Sequence, residues 1–206
     1  MSVLNRIAFF QNRPDEVPNQ QLAKELIQTE NIEGIKEIAQ NLQNKNKNVQ
    51  SDCLKVLYEI GYIKPDLIAD YAHNFLALLQ SKNNRMVWGA MIALATIADK
   101  RPKEIYAKLD ILQITMKKGS LITVVWGTKA LAKVAAVNKT YKQKIFPLLI
   151  EQLKKCIPRD VPLQAESILP SIDAQNKEQF LNIIETRKPE MTASQLARLK
   201  KVTKNL

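Results

Sequence analysis

Residues 87–98 read VWGAMIALATIA, and residues 125–135 read VWGTKALAKVA. The VWG parts start 38 residues apart and the ALA parts start 37 residues apart, so the second stretch is a copy of the first with a one-residue slip. Both copies are rich in Ala and Leu, which have high helix propensity. A repeat of this length predicts that the chain is assembled from successive copies of one helical unit.

The same period extends on both sides of these two stretches. Apolar positions recur in two kinds of helix, which we name the A helix and the B helix of each repeat. In the A helices, one row of positions separated by 37 residues is Ile35, Ala72, Leu109, Phe146 and Ile183. In the B helices, the apolar offsets are 0, 4, 7 and 11, which define one face of an α-helix. The first repeat shows these offsets at Val49, Cys53, Val56 and Ile60.

The B-helix pattern resembles that of HEAT repeats. The first B helix reads Asn48-Val49-x3-Cys53-x2-Val56-Leu57-x2-Ile60-Gly61, which is similar to the polar–Val–x3–Ala–x2–Leu–x2–Ile–Gly pattern of that family. The resemblance covers residues 31–173 and departs from the pattern where Lys129 and Glu166 replace apolar residues. Within the family, the chain looks like a short stand-alone prokaryotic HEAT-like protein.

The resemblance implies an all-α fold, a right-handed α-solenoid (α-α superhelix) of about five HEAT-like helix pairs with a short helical N-terminal cap. We expect a single domain over residues 1–206. Cap helices, one of them over residues 3–10, would lie within residues 1–30. The repeats would occupy residues 31–173, and a C-terminal capping pair would occupy residues 174–206.

Local signals place several helix ends. Asn48 and Asp160 are predicted N-caps of B helices, and Thr192 with Gln195 has the spacing of a capping box. Thr140 with Gln143 has the same spacing. Pro147 is expected to kink an A helix or delay its start, and Pro170 to shorten the fourth B helix.

Composition favours a cytoplasmic protein without a membrane segment. No apolar run reaches the roughly 18–20 residues that cross a bilayer, and the N-terminus lacks the features of a signal peptide. The two cysteines and single histidine argue against a disulfide framework and against a Cys/His zinc site. Residues 1–100 hold 11 basic and 11 acidic side chains, whereas residues 101–206 hold 20 and 9, so the net charge of +11 belongs to the second half.

Catalytic motifs are absent from the sequence. It contains no G-x-G-x-x-G, P-loop, H-E-x-x-H or G-x-S-x-G motif. The only histidine, His73, neighbours a core position of an A helix. We therefore expect a protein that is not an enzyme and has no catalytic residues, no cofactor and no metal.

The candidate binding surface is the side of the B helices that points away from their apolar rows. In HEAT-like solenoids the B helices line the concave face, which is the usual binding surface. The predicted face mixes aromatic, aliphatic and cationic residues: Tyr58, Arg85, Gly89, Ile92, Trp126, Lys129 and Lys133.

Two interpretations of the tryptophans and glycines in this face are open. Trp126 is either an anchor for a partner, flanked by Lys129 and Lys133, or a side chain that fills the space between adjacent B helices. Trp88, displaced by one position, points toward a neighbouring repeat. Gly89 and Gly127 each cost about 1 kcal/mol relative to Ala in a helix. Either helices approach closely at these positions, or a ligand fits over the backbone.

Three functions are consistent with the sequence. The first is a non-enzymatic scaffold that recognises a protein or peptide, an acidic one included, through its concave face. The second is nucleic-acid binding by the basic half, with Arg198, Lys200, Lys201 and Lys204 as a phosphate-contacting edge. A variant of the second is an enzyme. HEAT-like alkylpurine DNA glycosylases use tryptophans and an acid on a basic concave surface, and Glu166 is the one acid on the predicted face.

Overall fold

The computed structural model describes residues 2–204 and 206 of the chain. The protein is 77% helical and has no β-strand in the described residues, which confirms the all-α prediction. These residues form twelve α-helices: α1 Val17–Gln28, α2 Ile32–Gln40, α3 Lys47–Ile63, α4 Ala72–Leu78, α5 Asn84–Thr96, α6 Pro102–Tyr106, α7 Leu109–Lys118, α8 Leu121–Val137, α9 Lys139–Lys155, α10 Val161–Ile168, α11 Lys177–Arg187 and α12 Ala193–Thr203.

The periodic rows of the sequence form the core. Every member of the A-helix row that begins at Ile35 is buried. The central B-helix row, Val56, Leu94, Leu131 and Ile168, is at most 1% exposed to solvent. Burial of one apolar face per helix supplies most of the stability of such helices, because isolated helices of this length are marginal in water. The repeat deduced from the sequence is therefore the repeat of the fold.

The helices form two compact units, Met1–Thr123 and Val124–Leu206, which we call the N-terminal unit and the C-terminal unit. In the N-terminal unit, α3 packs between α1 and α5, α2 packs on α3, and α4 packs on α5. The helix α1 thus occupies the position of a B helix that precedes the first repeat. The helix expected over residues 3–10 is instead a 3-10 turn at Leu4–Arg6 followed by irregular turns.

A buried polar network fixes the N-terminal segment to α3. The carboxylate of Asp52 accepts hydrogen bonds from the backbone amide of Phe9 at 2.8 Å and from Asn19 Nδ2 at 2.9 Å. Asn19 is fully buried, and its side-chain oxygen accepts from the amide of Ala8 at 2.9 Å. Buried polar groups are costly unless they are paired, so this arrangement specifies where the non-helical segment lies.

In the C-terminal unit, α9 packs on α10 and α11, and α10 packs on α12. The helices α8 and α10 meet where Thr128 Oγ1 donates to Gln164 Oε1 at 3.0 Å. Arg187 of α11 closes the end of α9 by donating to the carbonyls of Leu153, Lys154 and Cys156 at 2.9, 2.6 and 2.7 Å. A cation at this position also interacts favourably with the C-terminal end of the helix dipole.

The helix ends agree only partly with the local signals. Thr192 and Gln195 form the predicted capping box, and α10 stops at Ile168, one residue before a 3-10 turn that contains Pro170. The cap of α3 is Asn46 rather than Asn48, and the cap of α9 is Asn138, so the predicted box at Thr140 does not form. Pro147 lies inside α9 without delaying its start.

Candidate functional site: the exposed face of the B helices

Three residues of the predicted face are packed inside the N-terminal unit. Tyr58 and Ile92 are each 5% exposed, and Gly89 is buried. A Cβ atom added at Gly89 would lie 2.7 Å from Leu54 Cδ2, so α3 and α5 approach closely at this glycine. The expectation that these residues line an open groove is therefore corrected here. The close approach of α3 and α5 brings the face opposite the apolar rows into contact with a neighbouring helix.

A charged cluster lies over the buried Tyr58. The ammonium group of Lys55 lies 4.9 Å from the centroid of the Tyr58 ring. It forms ion pairs with Glu16 at 3.0 Å and with Glu59 at 2.6 Å. Glu16 also accepts from Arg85 at 2.8 Å. Arg85, the cation of the predicted face in this unit, is thus exposed but paired.

The ionisation of this cluster follows from its pairing. Burial by itself would raise the pKa of Glu16. The hydrogen bonds from Lys55 and Arg85 have a larger combined effect in the opposite direction, so the pKa is lower than its ordinary value. Burial likewise opposes the charge on Lys55, while Glu59 and Glu16 raise its pKa overall. Burial raises the pKa of the Tyr58 hydroxyl. The cluster therefore holds its acid and its lysine in their charged forms around neutral pH.

Trp88 belongs to the same packed region. Its ring centroid lies 6.4 Å from that of Tyr58, and the side chain is half-buried. The indole thus fills space between α3 and α5, in agreement with the interpretation that it points toward a neighbouring repeat. Tyr62, which lies 5.8 Å from Tyr58, extends the aromatic group to the exposed end of α3.

The C-terminal unit keeps its part of the predicted face accessible. Trp126, Lys129 and Lys133 are the half-buried positions along one side of α8, whereas the adjacent residues 127, 128, 130 to 132 and 134 are buried. The ammonium group of Lys129 lies 4.2 Å from the centroid of the Trp126 ring. This distance is typical of a cation–π contact, which holds both side chains in place while leaving the ring partly exposed.

The accessible face continues on α10 and α12 within the same unit. Glu166 occupies the register position of Lys129 one repeat later. Its carboxylate accepts from Arg198 of α12 at 2.6 Å. Beside this pair is a cleft of about 460 Å³ whose lining includes Leu169, Lys201 and Val202. The face therefore combines an aromatic ring, apolar walls and cations, and its one acid is neutralised by Arg198.

Some of these features could not be found from the sequence. Glu16 lies in a stretch with two prolines outside the repeat pattern, so no register placed it beside Lys55. Nothing in the repeat pattern indicated that Arg187, at the end of α11, would reach the carbonyls at the end of α9.

The sequence predicts neither a metal site nor a membrane span. Among the described residues, no group of three or more His, Cys, Asp or Glu side chains has the arrangement of a metal site. None of the described helices combines the length and apolar character that a membrane span requires.

Comparison with known proteins identifies the fold. No protein-family model and no curated protein matches this sequence. Among solved structures, an engineered protein from the Northeast Structural Genomics Consortium matches with a TM-score of 0.66 and 17% identity, covering 100% of this chain and 98% of its own. A second engineered protein from the consortium matches with a TM-score of 0.61 and 16% identity, covering 100% and 96%.

A designed armadillo repeat protein in complex with the peptide (KR)4 matches with a TM-score of 0.65 and 16% identity, covering 98% of this chain and 99% of its own. At this level of identity the likeness concerns the fold alone. It agrees with the 37-residue sequence period and with the A–B packing of consecutive helices described above. The chain has the α-solenoid fold of armadillo- and HEAT-like helical repeat proteins.

Proposed function

We propose that the protein is a non-enzymatic scaffold that binds an acidic peptide, or an acidic segment of a partner protein, on the B helices of its C-terminal unit. The observation that carries this proposal is the half-exposed Trp126–Lys129 pair on α8. Tryptophan is enriched at binding hot spots, because its ring contributes a large apolar area at little entropic cost.

The charge of the C-terminal unit supports an acidic partner. Residues 124–206 contain 15 Lys and Arg and seven Asp and Glu, a net charge of +8. The designed neighbour binds (KR)4, a basic peptide. Here the B helices present Lys129, Arg198 and Lys201, and Glu166 is engaged by Arg198. A peptide of the opposite charge would complement this face and would be attracted to it at long range.

Direct binding of defined peptides tests the proposal. Fluorescence anisotropy would compare (KR)4 with its charge-inverted counterpart, an eight-residue peptide of alternating Asp and Glu. We expect the acidic peptide to bind and (KR)4 not to bind. The double substitution K129E/K201E should weaken binding at least tenfold and reduce its dependence on salt. Trp126→Ala should cost about 2 kcal/mol or more of affinity if the indole is a hot spot.

The matched control is K24E/K36E, which alters the net charge equally on two exposed lysines of α1 and α2. Equal weakening by both double variants would mean that net charge alone drives binding, and the proposed site would be wrong. Tighter binding of (KR)4 than of the acidic peptide would also contradict the proposal. Circular dichroism of each variant confirms that it remains folded.

Nucleic-acid binding is the second candidate, and the charge of +8 on residues 124–206 is the observation that favours it. Lys200, Lys201 and Lys204 follow one another near the end of α12 and would supply phosphate contacts. Such binding weakens steeply with salt, because condensed counterions are released. A titration with duplex and single-stranded oligonucleotides near 50 mM salt tests it, and absence of binding there would exclude it.

We propose that binding is not coupled to catalysis and that the setting is cytoplasmic. Both cysteines are free thiols, which suits a reducing compartment. Glu166, the acid that a glycosylase-like reaction would use, is half-exposed at the edge of the cleft, and its carboxylate is engaged by Arg198. Release of methylated base from alkylated DNA, lost in Glu166→Gln, would overturn this part of the proposal.

A further inference from the structure

A second accessible surface lies in the N-terminal unit, away from the predicted face. It is a cleft of about 580 Å³ between the end of α4, the first turn of α5 and the last two turns of α7. Its apolar walls are Leu79, Val87, Ile111 and Ile114. The volume is in the range of sites that bind ligands or anchor side chains.

Exposed apolar side chains are concentrated at this cleft. Ile114 is 55% exposed, and Leu121 and Ile122, which follow shortly after the lining residue Gly119, are 41% and 47% exposed. Ten large apolar residues are exposed in the described part of the chain, and three of them fall within residues 114–122. Single exposed apolar residues are ordinary, but such a group beside a cleft marks an interaction surface.

The rim of the cleft is cationic. Lys82 and Lys118 line it together with uncharged polar residues, and its lining contains no acid. Neither lysine forms an ion pair within the described residues. Lys118 lies in the last turn of α7, where a cation also stabilises the helix. Lys82 directly precedes the N-cap of α5, where a positive charge is mildly unfavourable. Its charge therefore has no benefit for the helix itself and is available to an anionic group.

We propose that this cleft is a docking site for an extended peptide that inserts one large apolar side chain and places Asp or Glu beside it. The apolar walls take the side chain, and Lys82 and Lys118 pair with the carboxylates. A peptide suits the surface because the exposed residues Leu121 and Ile122 extend the apolar area beyond the cleft. The inference does not rest on the function proposed for the C-terminal unit, since the two surfaces share no residue.

NMR titration of the 15N-labelled protein tests the site directly. The probes are acetylated hexapeptides with two central apolar residues, Leu-Phe or Ile-Trp, flanked by Asp and Glu. Two control peptides replace the apolar pair by Ala-Ala or the acids by Lys. We expect chemical-shift changes centred on the amides of Lys82, Ile114 and Gly119 with the first probes, and at least tenfold weaker binding of both controls.

Two substitutions connect the shifts to the cleft. Ile114→Glu removes the most exposed wall residue and adds a repelling charge, and Lys82→Glu reverses a rim cation. Each should weaken peptide binding at least tenfold. The matched control is Ile63→Glu, because Ile63 is 58% exposed at the end of α3 in the same unit and does not line the cleft. Loss of binding in Ile63→Glu equal to that in Ile114→Glu would overturn the proposal.

Absence of shifts with all of the acidic-apolar probes at millimolar concentration would also overturn it, as would shifts confined to α8, α10 and α12. The variant K129E/K201E separates this site from the one proposed for the C-terminal unit. It should leave the shifts at Lys82 and Ile114 unchanged, whether or not the other proposal holds.

Discussion

Gly89 and Arg187 show how single residues determine the packing between helices. At Gly89 the absence of a side chain lets α5 approach Leu54 of α3, and any Cβ would overlap that residue. Arg187, only 8% exposed, bonds three carbonyls at the end of α9 and also pairs with Glu190. In both cases the residue is explained by its neighbours across the interface rather than by the preference of its own helix.

Gly89→Ala should destabilise the protein although alanine is the better helix former. The substitution gains about 1 kcal/mol of helix propensity. Overpacking against Leu54 costs about 1–3 kcal/mol, so we expect a net loss of up to about 2 kcal/mol in urea unfolding. In a Leu54→Ala background the added methyl group has room, and the same substitution should then be neutral or stabilising. Stabilisation by Gly89→Ala alone would show that the helices can separate at no cost.

Arg187→Met should lower the free energy of unfolding by about 3 kcal/mol, because three carbonyls and Glu190 lose a buried partner. The stability of Arg187→Lys should lie between that of the wild type and that of Arg187→Met, because a single ammonium group cannot reproduce the planar fork of the guanidinium. The control is Lys188→Met, which removes an exposed ion pair with Glu185 and should change stability little. Equal effects of the two methionine variants in urea denaturation would contradict the role of Arg187.

At the scale of elements, Glu16, which directly precedes α1, connects α1 to α3 and α5 through two ion pairs. Glu16 pairs with Lys55 of α3 and with Arg85 at the start of α5. Only one of these three residues, Arg85, belonged to the surface predicted from the sequence. The cluster covers Tyr58 and connects the consecutive helices α1, α3 and α5. Its role is therefore in the assembly of the N-terminal unit, and Arg85 is engaged there by Glu16.

The stability contributed by this cluster should disappear in acid. The pKa of Glu16 is lower in the folded protein than its ordinary value of 4.5. The contribution is therefore fully present above that value and is lost as pH falls through the lower, folded pKa. Glu16→Gln should be less stable than the wild type at pH 7, and the difference should shrink as the pH is lowered below 4.5. Urea unfolding at several pH values measures this, and a difference that does not shrink in acid would contradict it.

At the scale of the whole molecule, one helix crosses the boundary between the two compact units. The helix α8 begins at Leu121 in the first unit and ends at Val137 in the second. In repeat proteins, stability is the sum of terms within repeats and terms between neighbouring repeats, so continuity of this kind favours cooperative unfolding. We predict that residues 1–206 unfold as one cooperative domain.

Matched core substitutions test that prediction. Leu94 and Leu131 are equivalent positions in the two units and are 0% and 1% exposed. Replacing either by Ala should cost about 2–5 kcal/mol. If the chain is one cooperative domain, each variant should shift the single unfolding transition of the whole protein. Hydrogen exchange that increases only in the unit carrying the substitution would show instead that the units unfold separately.

The sequence by itself determined the helices, their period and their buried rows. Rows such as that of Leu94 are predictable because each helix must bury one apolar face, and residue spacing alone fixes that face. Only the tertiary structure decided which residues of the opposite helix face are buried and which are exposed. Tyr58 and Ile92 became buried because a glycine lets α5 approach α3, and because α1 and Glu16 cover α3. The first contact joins adjacent repeats, and the second comes from a segment outside the repeat pattern, whereas Trp126 and Lys129 remained on the accessible side of α8.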